Sequence, residues 1–382
     1  MDPKDYRSTA AGRTILTPTE YWTFIPSPLP PELTWTLPLV SALAEAERDL
    51  ARLAAFASSF PYPRLLVQPF THNEAVLSSR IEGTHASLVD LYTYEITQLS
   101  LFEQSDVREV HNYVRALDYG LERLETLPVS LRLIRELHGK LMEHVRGGML
   151  TPGEFRRSQN WIGPAGSTLD NAPYVPPPVE KMYLALDELE KFIHAGESIP
   201  SLARLGMIHY QFEAIHPFLD GNGRVGRLLI VLLLCEWGLL PQPLLNISAY
   251  IERYRQEYYD HLLAVSRQGD WETWLRFFFR GISEQARADA NRIERLKDIR
   301  MGCQAIIDAD RNPQRMAAVV DFIFSRPILS ISQVAKNLSI PFATARNYLA
   351  KLEHAGLIRE PTGYAHNRIF RSDEILNAIQ LI

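Results

Sequence analysis

Between residues 216 and 227 the chain gathers the groups that phosphate chemistry needs: His216-Pro217-Phe218-Leu219-Asp220-Gly221-Asn222-Gly223-Arg224-Val225-Gly226-Arg227. Pro217 predicts that the preceding helix stops at His216, because a residue before proline avoids the αR region. Gly221-Asn222-Gly223 admits positive φ, so successive N–H groups can converge on an anion. That bend opens into an apolar helix, whose unpaired first N–H groups and positive dipole end also favour phosphate. Arg224 and Arg227, three apart, share a face of its first turn and point toward the same anion. Asp220 stands where Mg²⁺ could bridge it to phosphate oxygens. His216 is the side chain that titrates near neutrality and can take a proton from a hydroxyl. Phe218 is expected to point into the core and brace the loop. Gly-Asn-Gly alone would suit an ordinary turn. The whole string suits phosphoryl or nucleotidyl transfer.

The string matches HPFx(D/E)GNGRxxR at every defined position, and so the chain resembles the Fic-domain proteins. The resemblance implies an enzyme that transfers AMP from Mg-ATP to a Ser, Thr or Tyr hydroxyl of a protein, itself included. It implies His216 as general base, Asp220 as Mg²⁺ ligand, and Gly221, Asn222 and Gly223 as the cradle of the α- and β-phosphates. Arg224 would bind the β-phosphate and Arg227 the γ-phosphate, with Val225 and Gly226 completing the ATP-binding stretch. Residues 157–177 fit the family's hairpin flap, which can hold a target backbone as an added strand. Tyr254, within Tyr250–Tyr259, aligns with the adenine border, where relatives often carry asparagine. A few relatives use UMP donors or phosphocholine.

A second segment, Ser78-Ser79-Arg80-Ile81-Glu82-Gly83, resembles the family's inhibitory motif (S/T)xxxE(G/N). A carboxylate in the last turn of a helix faces the negative end of the dipole, which costs about 0.3–1 kcal/mol. Opposite a buried arginine it becomes favourable, and the family's partner is Arg227. Ser78, one turn earlier, is expected to hydrogen-bond the Glu82 carboxylate. Gly83 is a natural C′ residue. Because this motif precedes the catalytic string, the chain resembles the class with an N-terminal inhibitory helix. Two readings stay open beside AMP transfer: removal of AMP from a modified protein, and a DNA-binding regulator that senses nucleotide.

The elements that must position these groups read as mainly α: a Fic-type helical bundle with a small β-hairpin flap and a C-terminal winged helix. The proline- and aromatic-rich residues 1–40 read as an extended arm. Helical spacing runs from Val40 to about Phe60, and a helix over Thr71–Glu82 would be capped by Thr71 with Glu74 at N3. Further helices are expected at about 84–100, 104–124, 129–146, 179–195 and 200–214, then after Arg224, near 249–267 and at 270–300. Domain limits follow as 1–100 for the arm and inhibitory region (helix about 71–83), 101–300 for the catalytic domain and 311–382 for the winged helix.

In that last segment, Ser330 or Ser332 starts one helix and Ala343–Ala355 forms a second, with Ala345, Tyr348, Leu349 and Leu352 inward. Leu357-Ile358-Arg359 and Tyr364–Arg371 would form the wing. Residues 311–372 hold nine Lys/Arg against three acids, on a chain whose net charge is -5. A basic helix–turn–helix can bind DNA phosphates. The overall charge offers no attraction to nucleic acid or acidic membrane. Two distant cysteines, Cys235 and Cys303, argue against disulfides and structural zinc. No signal-peptide pattern opens the chain and the apolar run 228–240 is too short to span a bilayer, so a cytoplasmic protein is expected. Relatives are often dimers, and a homodimer is left open.

Overall fold

The structure, a computed structural model, describes residues 1–60, 64–97, 106–145, 151–164, 166–196, 199–361, 363 and 368–380. The ends expected for helices at residues 98–100, 104–105 and 146, and the wing residues 364–367, lie outside the described residues.

The N-terminal arm is not simply extended. After a 3-10 turn at Pro3–Asp5, β1 (Gly12–Leu16) and β2 (Trp22–Pro26) pair as an antiparallel hairpin, with Gly12 opposite Pro26 and Leu16 opposite Trp22. Fully buried Phe24 pins this hairpin to the bundle, and its N–H donates to Val175 O at 2.9 Å. Prolines cluster after β2, where a missing N–H breaks no ladder.

The bundle follows as α1 (Leu37–Ser59), α2 (Arg64–Ile81), α3 (Leu88–Thr97), α4 (Asp106–Arg123), α5 (Leu131–Leu141), α6 (Val179–Ile193), α7 (Ser201–Ile215) and α8 (Asn222–Glu236). After α9 (Ile247–Arg253) and α10 (Arg255–Gln268) comes α11 (Trp271–Gly302), which packs along α1. Helix α1 buries Leu39, Leu43, Ala46, Leu50, Leu53 and Ala57, the spacing of a one-sided stripe. Helix α8 is different: every residue from Leu228 to Leu234 is buried, because α4, α5 and α7 surround it. Gly120 of α4 lets this happen, since a Cβ there would lie 2.9 Å from Leu232 Cδ1.

Two helical expectations need correction. Helix α2 begins at Arg64, not Thr71, and carries Pro69 inside it. Burial of Leu66 and Phe70 outweighs the backbone bond that Pro69 cannot make. Thr71 therefore donates to Gln68 O at 3.0 Å instead of capping, and Glu74 lies buried against Ser248. The pattern read near 249–267 is two helices, broken at Tyr254 (φ -110°, ψ 38°).

The C-terminal segment runs α12 (Gln304–Asp308), α13 (Pro313–Ser325), β3 (Ile328–Ser330), α14 (Ile331–Asn337), α15 (Phe342–His354), β4 (Ile369–Arg371) and α16 (Asp373–Gln380). Ser330 and Gln333 form a reciprocal capping box at α14, and Ala345, Tyr348, Leu349 and Leu352 of α15 are buried. The principal partner of β4 is β3, with Ile328 opposite Arg371. Among the described residues, 357–359 contribute one bridge, Arg359 to Arg371. Helix α13 packs on α2, and α16 on α11 and α2, so apolar packing continues across residue 312. Much of the basic excess is answered within the fold: Arg326 pairs with Glu95, Lys351 with Asp310, and Arg359 and Arg371 with Asp373. That leaves less charge for a nucleic-acid backbone than the sequence count implies.

Among the described residues, no helix is long and apolar enough to cross a membrane. The fully buried Leu232 tests the central role of α8. Leu232→Ala is expected to lower the unfolding free energy by about 2–5 kcal/mol, measured by denaturant titration.

Candidate active site

Helix α7 ends where proline requires. His216 caps it in the left-handed region (φ 50°, ψ 62°), and this turns the imidazole back over the helix end. Its Nδ1–H donates to Glu213 O at 3.3 Å, which leaves the Nε2 lone pair available. Burial, with the nearby Arg156 charge, pushes the imidazole down to about 4. At neutral pH it is an uncharged base.

The bend that follows is braced from inside. Asn222 receives Phe218 N–H at 2.9 Å and donates to Phe218 O at 2.8 Å, closing the loop on itself. Its side chain thus holds the loop and does not face outward. Phe218 is buried and stacks on His138 at 3.8 Å between ring centroids. Gly221 is needed twice over: its φ is 78°, and a Cβ would lie 2.9 Å from Met142 Sδ. Asn222 and Gly223 are already helical, so the positive-φ bend is confined to Gly221. Val225 offers less than expected, because it is buried and its N–H is engaged by Gly221 O at 3.0 Å.

In this structure the two arginines turn to different carboxylates. Arg224 turns to Glu109 of α4 at 3.0 Å and lies 3.7 Å from Asp220. Arg227 turns to α2, where Nη2 meets Glu82 Oε1 at 2.5 Å and Ser78 O at 3.0 Å, and Nε donates to Ser78 Oγ at 2.9 Å. Ser78 therefore accepts from the arginine and does not hold the Glu82 carboxylate as expected. The planar fork of Arg227 presents an edge that the hydroxyl and carbonyl of one residue can fill. Arg227 is buried, whereas Glu82 keeps 33% of its side-chain surface exposed. Burial opposes ionisation of Glu82, but Arg227, aided by Arg224 and Arg255, holds its carboxyl below the ordinary range. Gly83 follows with φ 94° and ends the helix just past this contact.

Asp220 accepts its neighbour Gly221 N–H at 2.6 Å and remains 45% exposed at the mouth of the loop. Among the described residues there is no group of three or more His, Cys, Asp or Glu able to hold a metal. One exposed carboxylate suits an ion whose other ligands are phosphate oxygens and water. Tyr254 lies at the α9–α10 break, packed on Tyr250 (4.8 Å) and under Arg280 (5.2 Å). Tyr258 and Tyr259, one turn on, are the rings that feel the charges of Glu82 and Arg227.

Several residues were missed. Arg156, buried, donates to His216 O at 3.0 Å and Pro177 O at 2.5 Å, and Asn160 donates to Phe218 O at 2.8 Å. These bonds fix the base of residues 157–177, whose arms close with the single bridge Ile162–Tyr174. His138 accepts Gly153 N–H on Nδ1 at 2.9 Å, so its Nε2–H donates to Asp220 O at 3.1 Å. Burial pushes His138 down to about 4, which keeps it a neutral prop. The sequence held one signal for Arg156 and Asn160, their place within the turn-rich segment before the motif. For His138, Glu109 and Glu213 it held none.

Residues 40–122 match the Fic/DOC family N-terminal description, and residues 128–234 match the Fic/DOC family. The chain carries Fic N-terminal and Fic domains. It is 28% identical over 204 residues to the protein adenylyltransferase Fic of Drosophila grimshawi, and 27% identical to that of Drosophila persimilis. These alignments cover 52% of this chain but only 38% and 36% of those longer proteins. In fold, this Fic chain resembles a Fic family protein from Desulfovibrio desulfuricans G20 (TM-score 0.57, 22% identity, 90% of this chain and 98% of that one). It also resembles Fic-1 of C. elegans (TM-score 0.51, 24% identity, 67% of this chain and 73% of that one). Both likenesses concern the fold alone.

The neutral state of His216 is open to direct test. Its ring signal in NMR is expected to titrate with a midpoint of about 4. As pH falls from about 6.5 to 4 the unfolded chain takes up this proton first, so stability should decline across that window. A midpoint near the ordinary value would contradict the buried placement.

Proposed function

We propose that this Fic chain transfers AMP from Mg-ATP to a hydroxyl side chain of a protein, and that Glu82 restrains it. The observation that carries the reading is the buried Arg227 at the N-terminus of α8, held by Glu82 and Ser78 beside the neutral His216. A triphosphate brought to this helix end would meet unpaired N–H groups, the positive dipole end and two guanidinium groups.

In the proposed reaction, His216 Nε2 takes the proton of a Ser, Thr or Tyr hydroxyl as its oxygen bonds to the α-phosphorus. The bond from that phosphorus to the bridging oxygen breaks, and diphosphate departs with the electron pair. Asp220 would hold Mg²⁺, which supplies charge neutralisation for the phosphates. The protein's part is chiefly placement and fixed charge. The flap residues 157–177, anchored to the motif by Arg156 and Asn160, would hold the target backbone. While Glu82 occupies Arg227, the γ-phosphate lacks that clamp and the α-phosphorus cannot settle in line. For residues 313–380 we propose a winged-helix module, on the order α13–β3–α14–α15–β4 and the capping box at Ser330.

Two variants test the proposal by mass spectrometry after exposure to ATP. Glu82→Gly is expected to raise incorporation of AMP about tenfold or more, the effect of relieving ~1.4 kcal/mol of competition. Adding His216→Ala should lower it by roughly 10²–10⁴, the range for a lost general base. Incorporation that is unchanged by the first variant would remove the restraint. Incorporation that survives the second would remove His216 as the base.

A further inference from the structure

The site contains a second carboxyl group that neither the transfer chemistry nor the Glu82 contact uses. Glu213 lies on α7 one turn before His216, and its Oε1 is buried without a hydrogen-bond partner. A Cβ placed on Gly226 would fall 2.2 Å from that oxygen, and one placed on Gly223 would fall 2.5 Å from Glu82 Oε1. Gly223 and Gly226 are three apart and share a face across α8's first two turns. Carboxyl groups from two different helices are thus laid against neighbouring bare patches of one helix N-terminus. That is the surface where an anion is expected.

The two acids meet it in opposite states. Glu82 is ionised and paired with Arg227. Glu213 faces Arg227 from α8, Glu82 from α2 and Tyr258 from α10, with His209 and His216 on its own helix. Burial pushes its carboxyl up to about 8, and the negative charge of Glu82 adds to this against the pull of Arg227. At neutral pH it carries a proton and so can donate to an incoming anion.

We propose that Glu213 is a nucleotide-binding residue that acts as a neutral acid, its protonated carboxyl donating a hydrogen bond to a phosphate oxygen beside Arg227 once Glu82 withdraws. This rests on the nucleotide reading of the site given above. It makes binding proton-linked. With Glu82 removed, Glu213 loses a neighbour that opposes its ionisation, so more of it is ionised in the free protein. A bound triphosphate restores negative charge at that place, and the carboxyl takes a proton from solvent.

The test is calorimetry of Mg-ATP binding to the Glu82→Gly protein at about pH 8, repeated in buffers of different ionisation enthalpy. His209 and His216 titrate at about 3 and 4, and Tyr258 well above its ordinary range, so none of them interferes there. The Glu82→Gly protein is expected to take up a proton, approaching one per nucleotide. Its affinity should fall about tenfold per pH unit above the Glu213 midpoint. The Glu82→Gly/Glu213→Gln protein keeps the shape and the donor, so it should take up none and bind evenly from about pH 7 to 9. Equal uptake by the two proteins, or none by the first, would overturn the role of Glu213 while leaving the nucleotide site intact. No binding by either at any pH would remove the nucleotide reading and this proposal together.

Discussion

A guanidinium group buried at the start of a helix is the constraint around which this molecule is arranged. Arg227 cannot be left in the interior unpaired, since a lone buried charge is far costlier than a paired one. In this structure α2 supplies the answer, with one carboxylate, one hydroxyl and one carbonyl. A triphosphate would supply another. In the proposed restraint the two would compete for this one side chain.

The surroundings keep that helix start fixed. Helix α8 is enclosed on all sides, so its first turn inherits the rigidity of the core. The loop before it is bound to itself by Asn222, propped by the Phe218–His138 stack and tied by Arg156 and Asn160 to the segment that leads into the flap. Few of these partners touch the place where chemistry would occur. Their common effect is to keep His216 in a left-handed conformation that a freer loop would abandon.

The helices and the motif were legible because they rest on local rules. Pro217 stops α7, glycine bends the chain at residue 221, and the apolar run that continues the motif's helix start reads as an enclosed helix. The inward face of α15 was legible for the same reason, and so was Gly83 as a terminator. What escaped depends on partners distant in sequence. Nothing near Glu109 says that it will meet Arg224, and nothing near Ser78 says that it will accept from Arg227 and not serve Glu82. Helix α2 was read seven residues too short at its start because Thr71 and Glu74 mimic a local cap, whereas the burial of Leu66 and Phe70 that carries the helix back to Arg64 is not a local signal. The hairpin of residues 12–26 was hidden in the same way, since its register is fixed by Phe24 against the bundle.

Helix α2 is moored well behind its Glu82 end. His72 meets Glu95 at 2.7 Å, Glu74 is bonded to Ser248, and α13 and α16 lie along the helix. Glu82, by contrast, sits in a final turn beside a left-handed glycine with part of its surface in solvent. Withdrawal of the carboxylate therefore costs least as a fraying of that last turn about Gly83, like a latch tongue bending on a bolted plate. If Glu82 restrains transfer as proposed, release would involve only a handful of residues, and the bundle could remain folded in its resting shape while the latch opens and shuts.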